Sequence, residues 1–527
     1  MSKTADIAKT SAKGSFHFLW GLVISTLISS IGTIFIARLL GSDSYGLYAV
    51  VLTVPNLIYI FRDWGMNSAM IRFTAQYRAE NRLDEIRSVY LSGLIFEVAS
   101  GLLLSVFSFL FADFLATSVF NRPVIAPLIQ IVSFSVFASG LVSAATAAFT
   151  GYERLELNSI MMICQSAFKT AIIIGLVLLG LEVNGAIIGF TAGTYIGGVV
   201  GVILIWNIYR HLPKPSTNRL EIKAYLTAML TYCLPLSFAV LITSILPQYY
   251  AFLLPIHYIE DNVMIGNYSV AMNFVVLITF FAMPITTMMF PAFSKLDAVK
   301  DRENLKSIFQ FSVKYASFFV VPATAIVMCL SGPAVAALFG DTYETAPLFL
   351  ALLAIQYLYA AFGHLSLGGL LNGQGQTGFV LKMGLVTGLI GFPMGYVMIM
   401  RFGVLGLIAT LLTANIPSLI MGLWFIKKTY GVSVDWGSSA KILFSSAVAA
   451  IITFVTISLL SFSSWVELVL GVVLFLLVLL PVAIFTRTIT HLDIRNLRGI
   501  ASGLGGVGKI LCILLDYMDK LMTVLRV

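Results

Sequence analysis

The sequence predicts an all-α, polytopic membrane protein: about fourteen transmembrane helices in two parallel six-helix lobes, followed by two extra C-terminal spans. Three observations predict this. Of 527 residues, 59% are hydrophobic and 11% charged, with a mean hydropathy of +0.96, which no water-exposed surface tolerates. The apolar residues gather into runs of roughly 20, enough to cross a hydrocarbon core of about 30 Å at 1.5 Å per residue. Finally, the loops between runs alternate in charge.

In chain order, the first run, 16–39, follows the polar, basic stretch MSKTADIAKTSAKGSFHF. It is too long for a signal-peptide core and lacks a small-x-small cleavage site, so it reads as an uncleaved first span. The stretch ARLLGSDSYGLYAV (37–50) closes it at Arg38, makes the polar turn GSDSYG and opens the second run, 45–62. Gly41 and Gly46 supply the conformations of a tight hairpin. Further runs follow at 88–112, 124–148, 157–180, 184–208, 227–255, 264–290, 308–330, 346–371, 378–400, 403–426, 439–461 and 465–486.

Lys and Arg set the expected orientation. Lys3, Lys9 and Lys13 precede the first run, and Arg62, Arg72, Arg78, Arg82 and Arg87 cluster around the loop after the second. Basic clusters recur at 210–223, 295–306, 427–441 and 487–498, in every second loop. The intervening loops carry Asp43, Asp113, Glu182, Glu260 with Asp261, Asp341 with Glu344, and Glu467. Only Arg122 and Arg401 clearly break the alternation. Both termini are therefore expected in the cytoplasm, with GSDSYG outside. The net charge of +8 follows this membrane-surface pattern and does not point to nucleic acid.

A signature repeats about 220 residues on. Gly46-Leu47-Tyr48-Ala49-Val50 matches Gly266-Asn267-Tyr268-Ser269-Val270, and Asp84–Tyr90 matches Glu303–Phe309. Ala147-Ala148-Phe149-Thr150-Gly151 matches Gly369-Leu370-Leu371-Asn372-Gly373, and Asn184–Ile187 matches Leu405–Ile408. Four matches in order mark a duplication. Each copy holds six runs, an even number, so the copies share one topology and an axis along the membrane normal. The expected divisions are 1–212 (spans one to six), 213–430 (spans seven to twelve), 431–490 (spans thirteen and fourteen) and a cytoplasmic tail, 491–527. From Lys509 onward polar residues recur every three or four positions, predicting an amphipathic helix.

The stretches ARLLGSDSYGLYAVV, DWGMNSAMIRF, AAFTGYERLELNS, LLNGQGQTG and NGAIIGFTAG resemble the polysaccharide-transporter branch of the multidrug/oligosaccharidyl-lipid/polysaccharide exporter superfamily, over about residues 15–430. The resemblance implies a flippase, not an enzyme. Such a protein turns oligosaccharide on a polyprenyl phosphate or pyrophosphate from the cytoplasmic to the outer leaflet, by alternating access between two lobes. It implies a monomer in the cell membrane, without cofactor, that meets membrane lipids and the glycosyltransferases or polymerase of its pathway. The competing readings are a multidrug or cation antiporter of the same superfamily and a membrane polysaccharide polymerase. A polymerase needs a large loop bearing catalytic groups, and no loop much exceeds 25 residues. The four cysteines (Cys164, Cys233, Cys329, Cys512) sit in apolar stretches without metal or CxxC spacing.

Ionisable residues inside spans are the leading site candidates, because burying a charge is costly. Glu97 and Lys169 stand roughly 14 and 16 Å into spans three and five. Glu97 is the candidate coupling-ion residue and Lys169 a candidate ligand for lipid phosphate. Matched depth and opposite charge equally suit a structural Glu97–Lys169 pair. Arg38, Arg62 and Arg72 could meet a phosphate at the span ends, although anchoring is the commoner use. Asn273 and Asn415 could hydrogen-bond sugar hydroxyls or join helices. Lys314 and Lys382 read as snorkelling residues. His364, alone in its span, reads as structural.

Overall fold

The structure, a computed structural model, describes residues 3–213 and 222–488, apart from 260, 298, 299 and 461; beyond these it describes only 491, 493, 494, 498, 516 and 519. Every described regular element is helical. The main helices are α1 (Lys3–Asp63), α2 (Met66–Ala79), α3 (Leu83–Leu110), α4 (Ala126–Gly151), α5 (Leu155–Leu176), α6 (Glu182–His211), α7 (Ile222–His257) and α8 (Asn262–Lys295). They continue with α9 (Arg302–Cys329), α10 (Ser331–Phe339), α11 (Ala346–Leu358), α12 (His364–Gly373), α13 (Thr377–Thr413), α14 (Ile416–Tyr430), α15 (Trp436–Ser458) and α16 (Ser464–Phe485).

Among the described residues, nine stretches are long and apolar enough to span a membrane, or ten with the bent pair Ala346–Phe362 and His364–Gly373. Three of the nine, Trp20–Arg62, Leu155–His211 and Thr377–Tyr430, run to 43, 57 and 54 residues. At 1.5 Å per residue each is roughly 65–85 Å long, about twice a hydrocarbon core or more. Each holds two of the predicted runs, separated by a backbone break. In α1 the break is Gly41 alone (φ 73, ψ 173), a conformation essentially restricted to glycine. The expected six-residue turn is thus a single residue, and Ser42–Gly46 already form the first turn of the second arm. Gly180 (φ 84) and Gly403 (φ 55) make the other two breaks.

The chain forms two compact units. The first comprises residues 1–270 and 388–407, the second 271–387 and 408–527. Residues 222–270, which the repeat assigns to the second copy, pack within the first unit.

Within the first unit, α6 carries glycine at every fourth position from 185 to 201, a stripe that lets α5 approach closely. A Cβ at Gly189, Gly193 or Gly197 would overlap Ile173, Lys169 or Gln165 of α5. On its other side α5 meets the first arm of α1, where Gly32 faces Thr170 and Ser29 donates to Ser166 at 3.1 Å. In the second unit, α9 packs against α11 and α15, and Ser312 hydrogen-bonds Ser366 of α12 at 2.8 Å. Lys314, expected to snorkel, instead donates to Asp493 at 2.6 Å, and Tyr315 donates to the other carboxylate oxygen at 3.3 Å. This ties the chain beyond α16 to α9. The predicted amphipathic segment lies outside the described residues except Asp516 and Asp519, which pair with Arg498 and His491.

Candidate functional site

Among the described residues, the most buried charge in the first unit sits where α1, α3 and α4 meet. Along α4, Ser135, Ser139 and Ser143 stand four residues apart and line one face. They take partners from the end of α1 and the start of α2. Tyr59 and Ser135 share a 2.9 Å hydrogen bond, Arg62 Nη1 donates to Ser139 at 3.0 Å, and Asn67 Nδ2 donates to Ser143 at 2.5 Å. Arg62 Nε also lies 3.7 Å from Glu97 Oε2 of α3; the two side chains are 9% and 0% exposed. Gly140 brings α3 to this point, since a Cβ there would stand 3.0 Å from Glu97 O and 3.4 Å from its Oε2. Gly101 lies against Phe137 in the same way, as the small residues on the Glu97 face imply. A buried carboxylate is costly without a counter-charge, and Arg62 supplies one.

Glu97 therefore pairs with Arg62, not with Lys169. The physical reason is the glycine stripe of α6. It holds the Lys169 stem against Gly193, with Nζ over the Phe190 ring at 5.7 Å. Glu97 meanwhile faces Gly140 of α4. The other candidates are not gathered with this pair. Arg38 is exposed on the first arm of α1, and Arg72 lies over the Tyr232 ring at 4.1 Å. Asn273 is exposed on α8. Asn415 lines a cavity of about 100 Å³ in the second unit, together with His364, Gln356, Tyr357 and Tyr359.

A second polar cluster involves Arg122, the residue that breaks the charge alternation. Arg122 is 8% exposed and donates to Asn262 Oδ1 and to the Tyr258 carbonyl. Asn262 Nδ2 in turn donates to Asp43 at 3.2 Å. Beside them the repeat-equivalent Gly46 and Gly266 face one another. A Cβ on Gly46 would overlap the Asn262 carbonyl, and one on Gly266 the Ser42 carbonyl. Sequence reasoning placed Arg122 as an exception and missed this role; its signal was a cation in a loop otherwise expected to be acidic. The serine ladder was also missed, though its spacing of four is visible in SFSVFASGLVS. Among the described residues, Cys164, Cys233 and Cys329 form no disulfide, and Cys512 lies outside those residues.

Among known proteins, the chain is 20% identical over 436 residues to an uncharacterised membrane protein of Methanocaldococcus jannaschii, covering 79% of this chain and 84% of that one. It is 20% identical over 234 residues to a probable low-salt glycan biosynthesis flippase of Haloferax volcanii, covering 44% of this chain and 49% of the relative. Two solved structures share its fold. A lipid II flippase in an inward closed conformation superposes with a TM-score of 0.71 at 16% identity, covering 89% of this chain and 98% of that one. An inward-facing multidrug resistance transporter superposes with a TM-score of 0.61 at 14% identity, covering 77% and 94%. The family model described as polysaccharide biosynthesis protein matches residues 35–347. The chain belongs to that family, within the polysaccharide-transporter branch of the multidrug/oligosaccharidyl-lipid/polysaccharide exporter superfamily.

Proposed function

We propose that the protein is a flippase that moves lipid-linked oligosaccharide, on a polyprenyl phosphate or pyrophosphate, from the cytoplasmic to the outer leaflet of the cell membrane. It serves polysaccharide or glycoconjugate biosynthesis and performs no covalent chemistry. It works as a monomer with both termini cytoplasmic, alongside the glycosyltransferases or polymerase of its pathway. The observation that carries this reading is the family match across residues 35–347. The relative named as a glycan biosynthesis flippase supports it.

The mechanism is alternating access. On the predicted orientation, Asp43, Asn262 and Arg122 lie at the outer face. The Gly46–Gly266 apposition and the Arg122 hydrogen bonds then form a seal on that side, which must open to release the glycan. Lys169, Arg38 and Arg72 are retained as candidate phosphate contacts, and Asn273 and Asn415 as candidate sugar contacts. The Arg62–Glu97 pair links substrate charge to the lobe: an arriving phosphate competes with Glu97 for the guanidinium. The buried Glu97 carboxylate also favours a second reading, cation-coupled export of small molecules.

Deletion of the gene, followed by leaflet-resolved analysis of lipid-linked glycans, tests the proposal. Precursor accumulating on the cytoplasmic leaflet is expected. Failure to assemble the precursor would make the protein an enzyme. Normal glycans with raised sensitivity to toxic cations would favour the second reading.

A further inference from the structure

One predicted span is broken within the second unit, and a helix junction in another meets that break at one cavity. In span ten, α11 ends in a tight 3₁₀ turn, Tyr359–Phe362, Gly363 is left-handed (φ 84), and α12 leaves at 51°. In span twelve, α13 ends at Thr413 and α14 begins at Ile416, with Ala414 and Asn415 between them still helical in backbone angle. Gln356, Tyr357, Tyr359, His364, Leu411 and Asn415 line the space between. Irregular backbone at membrane depth persists only where it is buried in protein or lines a cavity, and interrupted helices mark binding sites in transporters. Asn415 is twelve residues into its predicted run, roughly 18 Å deep and so near the bilayer midplane.

The cavity's chemistry narrows its ligand. Its volume of about 100 Å³ is several times the roughly 10–15 Å³ that one water requires. Tyr359 donates to the Leu412 carbonyl at 2.8 Å, which ties the break to the end of α13, and Gln356 donates to the Leu353 carbonyl at 2.9 Å. Among the described residues, the His364 ring and the Asn415 side-chain amide have no hydrogen-bond partner. His364 is exposed and Asn415 half-buried, so the polar ends of both are open to a ligand. Among the described residues, no charged side chain lines the cavity. A metal cation would call for carboxylates, and a phosphate for Arg or Lys. Carboxamides, an imidazole and phenol rings instead match an uncharged pyranose, whose hydroxyls both donate and accept and whose C–H face packs on an aromatic ring.

We infer that this cavity is a subsite for an uncharged sugar of the transported glycan, with Asn415 and His364 binding hydroxyls and Tyr357 packing on the ring. The inference rests on the flippase reading and places sugar recognition in the second unit, while the charged pair lies in the first.

The test uses the full-length protein in its native membrane, with the photo-crosslinker p-benzoylphenylalanine in place of Leu411. After irradiation the purified protein is stained for carbohydrate by periodate oxidation and hydrazide labelling. Mild acid, which cleaves sugar from lipid phosphate, is applied before staining. The expected result is acid-resistant carbohydrate on the protein, reduced at least fivefold by Asn415→Leu. Gln356→Leu provides a second test should Asn415→Leu lower the melting temperature. Label lost on mild acid would mean that the carrier lipid occupies the cavity, and would overturn the inference. Absent label in cells where deletion does accumulate precursor would overturn it too. Absence of both label and accumulation would refute the flippase reading itself, and the subsite with it.

Discussion

Helix α4 and the α11–α12 pair hold the same place in the sequence repeat and leave it through the same turn. Tyr152, Glu153 and Arg154 donate backbone N–H bonds to Ala148, Thr150 and Phe149. Gln374, Gly375 and Gln376, 222 residues on, donate to Leu370, Asn372 and Leu371. Glu153 (φ 60) and Gly375 (φ 72) are both left-handed. Upstream the two regions part. Leu141 and Val142 continue α4 as helix, whereas Gly363 and His364, at the matching positions, end one helix and start another. The straight helix keeps Ser135, Ser139 and Ser143 in line, and they share hydrogen bonds with Tyr59, Arg62 and Asn67 beside a buried ion pair. The broken helix opens a cavity lined by uncharged polar groups. The duplication thus fixes where a helix ends, and a few local residues decide whether its polar groups bind protein or remain available to a ligand.

The largest expected effect lies on the charged side of this contrast. Arg62→Leu or Glu97→Leu alone leaves a lone buried charge and should cost about 3–5 kcal/mol. It should be visible as a large drop in melting temperature of the detergent-solubilised protein. The double substitution should recover most of that loss, and Lys169→Met should change little. A Lys169→Met protein as unstable as Glu97→Leu would restore the Glu97–Lys169 pairing and undo the assignment.

On the cavity side, Gly363→Ala should destabilise by about 1–2 kcal/mol, the usual penalty for a side chain in the left-handed region. Its Cβ would also meet Phe309, Val313 and Val434 at 3.3 Å. An unchanged melting temperature would mean that the break does not depend on glycine.

The smallest effect comes from a capped helix of the second unit. Asp435 accepts backbone N–H bonds from Gly437 at 3.1 Å and Ser438 at 3.3 Å, and a hydroxyl bond from Ser438 at 2.5 Å. The Ser438 hydroxyl is the main reason the carboxyl is held below its ordinary pKa. Asp435→Ala should cost about 1 kcal/mol. Because the folded value is depressed, the stabilisation is present above the unfolded pKa of about 4 and is lost as pH falls through the folded value. The gap between wild type and Asp435→Ala should therefore close in acid, which thermal melts across pH would show.

Much of this was legible in the sequence because membranes impose length and composition on each span. All-helical architecture and the paired runs follow from that, whereas the repeat is read from four matches about 220 residues apart. The partner of Glu97 was not legible, because depth along a helix says nothing about which face a neighbour presents. Two periods of four inside apolar runs carried the missing information: the serines of α4, which collect Arg62, and the glycines of α6, which draw Lys169 away. His364, read as structural, lines the cavity because Gly363 breaks the helix beside it, a consequence that the isolated residues do not reveal. Arg122 stood out by charge, but its contacts with Tyr258 and Asn262 depend on residues 222–270 folding into the first unit.

The central claim, that glycan is released through opening of the Gly46–Gly266 seal, is tested most directly by locking that seal. Asp43→Cys with Asn262→Cys replaces two side chains that now share a 3.2 Å hydrogen bond. Oxidation in cells should form a disulfide, stop flipping and accumulate lipid-linked glycan on the cytoplasmic leaflet, and reduction should reverse both. Continued arrival of lipid-linked glycan at the outer leaflet while the disulfide is intact would contradict the account.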